Sequence, residues 1–266
     1  MSHPPAPVRL RGIAVIGTGW LGAPLACQLA KDHPVSATYR KPALRDELAS
    51  AGVRPVFLDL PDAVGSLDSL FRDCDAAIVT LPPGGRTHGE ETTARYLDLL
   101  APLTPFLSGV HLVYTSSTGV YGRAAKGPID ESATLRPDTP SSRAVVAAET
   151  FFQHHAPRCT LLRLAGLYGP DRDPVRFFDR LPAIPDADAP VNMIGRADAA
   201  AAIRYVLEFG ITGIFNACSA AHPTKREFYG RRYEDAGLLP KPFLPGGSDG
   251  KRIDSTKLRR LGWLAR

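Results

Sequence analysis

An α/β fold, a doubly wound parallel sheet carrying a small C-terminal lobe, is what this sequence predicts, and three observations predict it. The first is Gly17-Thr18-Gly19-Trp20-Leu21-Gly22, set between the apolar run Ile13-Ala14-Val15-Ile16 and an amphipathic run with Leu21, Leu25 and Leu29 at helical spacing. The second is the alternation of apolar strand patterns with helical ones, which implies βαβ units and a parallel sheet. The third is that Pro and Gly cluster at residues 82–85, 182–190 and 240–250, where they mark loops between elements.

Ile13–Ile16 reads as a buried parallel strand, and Trp20–Lys31 as the helix that follows. Between them Gly17 turns the chain sharply, Gly19 lets backbone approach a pyrophosphate, and Gly22 lets the helix pack close to the strand. The helix N-terminus presents free N–H groups to phosphates. A glycine-rich turn alone is common; the strand before it and the helix after it make this a Rossmann-type dinucleotide site. Residues Gly17, Thr18, Gly19, Trp20, Leu21 and Gly22 are therefore candidate cofactor contacts.

The second strand, Pro34–Tyr39, is followed by Arg40-Lys41. A fold that prefers NAD usually carries an acid about 20 residues past the glycines, to bind the ribose 2′-OH. Tyr39, Arg40 and Lys41 stand there instead. A guanidinium grips a 2′-phosphate that a carboxylate would repel, so NADP is expected over NAD. The plainer alternative is a solvated basic pair at a strand end.

Further strands are expected at 54–58, 76–81, 111–115, 160–164 and 213–217. Helices are expected at 43–50, 66–72, 91–100, 142–154, 197–209 and 225–236. Thr224-Lys225-Arg226-Glu227 is a capping box that starts the last of them. Ligands of an open parallel sheet lie beyond the carboxyl ends of its strands. That adds Asp59, Leu60, Leu81, Pro82 and Thr115 to the cofactor candidates and places 116–122 and 165–170 in the same crevice. Segment 184–197 is expected to cap the crevice and select substrate. The division implied is a flexible leader at 1–11, a dinucleotide-binding core at 12–170, and a smaller substrate lobe at 171–266 interleaved with the last core strand and helices.

The chain has 266 residues, enough for one such domain with an appended lobe. Its net charge of +5 is scattered, with no alternation of basic and aromatic residues, which argues against nucleic acid as a partner. Cys27, Cys74, Cys159 and Cys218 form no close pair, so buried thiols are expected rather than a disulfide scaffold or metal motif. His88, His154, His155 and His222 have no Asp, Glu or Cys at ligand spacing, and no metal is expected. Residues 1–11 lack the apolar core of a signal peptide. Residues 12–30 carry no charge, but four glycines and a proline argue against a membrane span. The expectation is a cytoplasmic monomer or homodimer acting on a small molecule.

Thr115-Ser116-Ser117-Thr118-Gly119-Val120-Tyr121-Gly122 resembles the strand-five signature of extended short-chain dehydrogenase/reductases, the nucleotide-sugar epimerase and dehydratase type. Arg163-Leu164-Ala165-Gly166-Leu167-Tyr168-Gly169-Pro170 is similar to the strand-six segment of that family, and Asn216 and Lys251–Leu258 resemble later landmarks. The resemblance runs from about Ile13 to Trp263. The G-x-G-x-x-G spacing, with Ile16 in the family's first glycine place, resembles an atypical branch of NAD(P)-dependent epimerases. The family's catalytic Tyr-x-x-x-Lys is missing. With the family Glu set at Glu149, Val145 takes the Lys position and Ser141 the Tyr position. In the family the Tyr exchanges the proton, and the Lys lowers its pKa and holds the nicotinamide ribose.

The family's Ser survives as Ser117. Losing a general acid costs roughly 10²–10⁴ in rate. Substitute acids are Tyr121, Tyr168 and Asp98, of which Tyr121 joins Ser117 as a catalytic candidate. Each has a plainer reading: packing aromatics for the tyrosines, a surface charge for Asp98, and for Ser117 a hydroxyl bonded to its own loop. Two functions follow from the resemblance. One is an NADP-linked oxidoreductase or epimerase on a small polar substrate; the other is a catalytically silent NADP-binding regulatory protein.

Overall fold

The computed structural model describes residues 6–61 and 65–265. Its strands are β1 (Ile13–Ile16), β2 (Val35–Tyr39), β3 (Arg54–Phe57), β4 (Ala76–Val79), β5 (His111–Ser117), β6 (Gly127–Ile129), β7 (Arg158–Leu164), β8 (Gly166–Tyr168), β9 (Met193–Gly195), β10 (Gly213–Ala217) and β11 (Lys251–Ile253). Among the described residues, seven of them form one parallel sheet in the order β3-β2-β1-β4-β5-β7-β10. The small parallel pairs β6–β11 and β8–β9 stand apart from it. Strands β1 and β4 are buried at every position, as expected where helices cover both faces of a parallel sheet. The strand order reverses at β1, with β2 on one side and β4 on the other. That reversal opens a crevice at the carboxyl ends, the place where such sheets hold ligands.

The helices are α1 (Gly22–Leu29), α2 (Pro42–Ser50), α3 (Ser66–Phe71), α4 (Gly85–His88), α5 (Thr92–Leu100), α6 (Thr104–Leu107), α7 (Pro140–His155), α8 (Arg196–Glu208), α9 (Lys225–Asp235) and α10 (Thr256–Arg260). Helix α1 is shorter than its apolar pattern, because Thr18–Leu21 is spent in the turn. Helix α7 begins two residues before the expected start. There Thr139 Oγ1 accepts from Ser142 N at 3.0 Å and Ser142 Oγ accepts from Thr139 N at 2.9 Å, a reciprocal cap. The expected capping box of α9 forms: Thr224 Oγ1 accepts from Glu227 N at 3.2 Å, and Glu227 Oε2 accepts from Thr224 N at 2.8 Å.

A second, smaller core lies in the C-terminal lobe, built on Val175, Ile184, Val191, Met193, Tyr229 and Tyr233. Helix α8 and strand β10 return from that lobe to the main core, where Ile203, Val206 and Phe215 are buried. Residues 1–5 of the expected leader lie outside the described residues. Val8 N donates to Glu208 O at 2.7 Å, and Arg11 N to Asp75 Oδ1 at 3.1 Å. The expectation of four buried thiols holds for Cys218; Cys27 in α1, Cys74 before β4 and Cys159 near the start of β7 are half-buried, packed against the edge of the main core. Among the described residues no helix is long and apolar enough to cross a membrane.

His111, at the start of β5, is buried, and its Nε2 lies 2.8 Å from Thr160 Oγ1 on β7. Burial, and then the Arg158 guanidinium, push its pKa down from 6.5 to about 4. The unfolded chain therefore takes up a proton that the folded chain refuses between those values. The stabilisation is complete above pH 6.5 and fades as pH falls toward 4, by about 3 kcal/mol for this group. Urea unfolding across this window should show wild type losing stability faster than His111→Gln. Equal pH slopes for the two proteins would contradict the assignment.

Candidate functional site

The glycine turn is pinned on both sides. Gly17 has φ +99°, a left-handed value that glycine tolerates. Its N–H donates to Thr38 Oγ1 at 3.0 Å, and its carbonyl accepts from the Thr80 hydroxyl. The Thr18 hydroxyl donates to Thr38 O. The loop after β1 is thereby fixed to the ends of β2 and β4. A Cβ on Gly22 would stand 2.1 Å from Gly17 O, so this glycine is required for α1 to pack on the turn. A Cβ on Gly19 would meet nothing within 4 Å. Two glycines thus serve the fold, and Gly19 faces open space above the loop.

That space is two adjoining cavities. The first, of about 500 Å³, is lined by Gly17, Thr18, Gly19, Tyr39, Arg40, Lys41, Asp59, Leu60, Leu81 and Pro82 among others. The second, of about 410 Å³, shares Gly19, Thr80, Leu81 and Pro82 with it and adds Trp20, Leu21, Gly22, Thr115 and Ser117. Every candidate cofactor position lines one cavity or both. Leu81 is held at their junction by Tyr96, whose hydroxyl donates to Leu81 O at 2.6 Å. Arg40 Nη1 lies 3.8 Å from Asp59 Oδ1, with both side chains exposed, a loose pair that water and salt weaken.

Ser117 ends β5 in the second cavity. Its Oγ accepts from Gly119 N at 3.1 Å, which caps the 3₁₀ turn Thr118–Tyr121. Having accepted that bond, the hydroxyl can still donate its own proton to a substrate oxygen. Val145 lines the same cavity. Ser141 faces elsewhere: a Cβ on Gly85 would stand 2.2 Å from its Oγ, so the 84–85 backbone covers the start of α7.

Tyr121, expected as a substitute acid, is not brought to Ser117's cavity. Its ring is 1% exposed, and its hydroxyl donates to Asn216 Oδ1 at 2.8 Å while accepting from Arg163 Nη1 at 2.9 Å. Burial raises its pKa despite these bonds, so it is a structural phenol with both hydrogen-bonding roles filled. Tyr168 turns to the other side of β8 and packs edge-on against Phe228, ring centres 5.9 Å apart. Asp98 lines neither of these cavities but a third, of about 360 Å³, which adjoins them through Leu60, Pro82 and Leu99 and is lined also by Pro61 and Arg95. The residues that sequence reasoning missed are Thr38, Thr80 and Arg172. Thr80 carried a readable signal, since it follows β4 directly and precedes Leu81-Pro82; Arg172, a charged side chain lining the second cavity, carried none.

A family profile described as NAD(P)H-binding matches residues 17–208. Protein YeeZ of Escherichia coli strain K12 is 33% identical over 259 residues, which is 94% of this chain and 93% of that one. UDP-glucuronic acid 4-epimerase from Bacillus cereus in complex with NAD is similar in structure, with TM-score 0.75 at 17% identity over 96% of this chain and 93% of that one. UDP-glucose 4-epimerase from Thermus thermophilus in complex with NAD has TM-score 0.72 at 22% identity, over 96% and 94%. At these identities the likeness is one of fold, and it agrees with the short-chain dehydrogenase/reductase type that the motifs resemble.

The glycines should separate by experiment. Gly19→Val should melt close to wild type and lose NADPH binding, because its side chain enters the open space above the loop. Gly22→Ala should lower the melting temperature by forcing α1 off the turn. A Gly19→Val protein that binds NADPH and NADH as wild type does would contradict the cavity's role.

Proposed function

We propose that this chain, which belongs to the NAD(P)H-binding family, holds NADP in the joined cavities and acts as a cytoplasmic oxidoreductase or epimerase on a small polar substrate. The observation that carries the reading is the continuity of the two cavities across Gly19, Leu81 and Pro82. The residues fit a dinucleotide: Gly19 leaves the loop open, and one cavity has basic residues at its rim while the other has hydroxyls. The NAD-bound epimerases of like fold support a nicotinamide cofactor; the preference for NADP rests on Tyr39-Arg40-Lys41 at the end of β2. Arg40 can exchange its loose contact with Asp59 for a 2′-phosphate, which offers it paired charge-assisted bonds.

A bound nicotinamide supplies a hydride donor or acceptor. The chain's own part is to orient substrate. Ser117 donates a hydrogen bond to the reacting oxygen, and Val145, Leu164 and Leu167 keep the cavity walls apolar. A second reading, a silent NADP-binding regulator, is favoured by one observation: no carboxyl, imidazole or lysine lines the second cavity among the described residues.

Cofactor choice and turnover are separately testable. A charge-assisted bond contributes roughly 1.5–3 kcal/mol, so Arg40→Ala should weaken NADPH about ten- to hundredfold and leave NADH nearly unchanged. Equal losses, or none, would show that Arg40 does not read the phosphate. Incubation with NADPH and a panel of aldehydes, ketones and sugar nucleotides should reveal oxidation or inversion, reduced at least about tenfold by Ser117→Ala. Tight NADPH binding with no responding substrate would favour the regulator.

A further inference from the structure

Trp20 lies in the glycine turn but belongs equally to the opposite wall of the crevice. Its Nε1 donates to Pro170 O at 2.7 Å, beyond β8. Two guanidiniums lie over its indole: Arg172, 5.3 Å from the ring centre, and Arg196, 4.9 Å from it. The backbones that carry them are fixed. Arg172 N donates to Gly169 O at 3.0 Å and Gly169 N to Arg172 O at 3.3 Å, a tight turn. Arg196 opens α8, which buries Ala199, Ala202 and Ile203 in the main core. Gly169 makes the cluster possible: a Cβ there would stand 3.2 Å from Arg196 Cβ and 3.4 Å from the indole.

We infer that Arg172 and Arg196 hold the pyrophosphate of the bound dinucleotide from the C-terminal side, with Trp20 as the platform that keeps both guanidiniums in place. The inference rests on the cofactor reading above. Arg172 lines the same cavity as Gly19, Trp20, Leu21 and Gly22, and it is the charged member of that lining. The turn itself offers a pyrophosphate only neutral N–H groups. Arg40 and Lys41 line the other cavity, beyond the shared Gly19. A guanidinium held over an indole is attracted by the ring while its N–H groups can still make paired bonds to phosphate oxygens, and the ring limits the freedom it must lose on binding. The two arginines come from segments after β8 and at the start of α8, so the cofactor joins the glycine turn to both. An anion held there is common to NADP and NAD, which separates this contact from that of Arg40.

Calorimetry on the full chain with NADPH, NADH and adenosine 2′-monophosphate tests it. The last probe carries the 2′-phosphate but no phosphate on the 5′ side, where the pyrophosphate begins. Arg172→Gln should weaken NADPH and NADH alike, by about tenfold or more, and leave the monophosphate unchanged. Arg172→Gln with Arg196→Gln should weaken both dinucleotides further and flatten the salt dependence of their binding. Unchanged dinucleotide affinity in the double variant would overturn the inference. So would an equal loss for all probes, since the monophosphate does not extend to these arginines. Wild-type protein that binds no dinucleotide would overturn the proposed function itself, and this inference with it.

Discussion

A buried ion pair holds the crevice in shape. Glu149 on α7 and Arg163 on β7 are each 3% exposed and meet in a bidentate contact, Nε–Oε1 at 2.9 Å and Nη2–Oε2 at 2.7 Å. Burial alone would lower the arginine's pKa, but the hydrogen bonds and charge of Glu149 outweigh it and raise it. Such a pair repays its desolvation only if its remaining polar atoms are bonded, and removing one partner costs about 3–5 kcal/mol. Here the Ser116 hydroxyl donates to Glu149, and Arg163 also bonds Tyr121. Tyr121 reaches Asn216 on β10, whose side chain donates to Ile129 O and Asp254 O at the ends of β6 and β11. One network thus joins α7, β5, β7 and β10 to the returning C-terminal segment, and sets the carboxyl end of β5 that carries Ser117.

That network accounts for the chemistry of the second cavity. It draws Tyr121 inward and fills both of its hydrogen-bonding roles. Ser141 is covered by the 84–85 backbone, and the next helix turn is tied down nearby by Arg143 bonding Glu90 at 2.7 Å. The cavity is left with hydroxyls, apolar walls and Arg172. An environment of that kind can bind and orient a ligand, and the hydroxyls of Thr80, Tyr114, Thr115, Ser116 and Ser117 are the neutral proton-bearing oxygens in its lining.

The fold was legible because its signals are local. Strand β1, the glycine turn and α1 occupy consecutive residues, and the apolar periods of the later strands and helices survive in the sequence. Parallel order then makes the strand ends neighbours, which is why candidates as distant as Gly17, Arg40, Asp59, Leu81 and Ser117 line joined cavities. The direction of Tyr121 was not legible, since it is decided by Arg163 and Asn216, 42 and 95 residues away. Nor was the Trp20 cluster, because stacking of Arg172 and Arg196 depends on how closely the 169–172 turn approaches α8. Helix α7 began early for a local reason that was readable, the Thr139–Ser142 cap.

One crevice, opened by the reversal of strand order at β1, is proposed to take a dinucleotide from Arg40 at one end to Ser117 at the other. A crystal structure of the protein with NADP tests this most directly. The 2′-phosphate should lie beside Arg40 and Lys41, the pyrophosphate over Gly19 and Trp20, and the nicotinamide in the cavity of Ser117. A dinucleotide bound outside this crevice, or lying in it with its ends reversed, would contradict it.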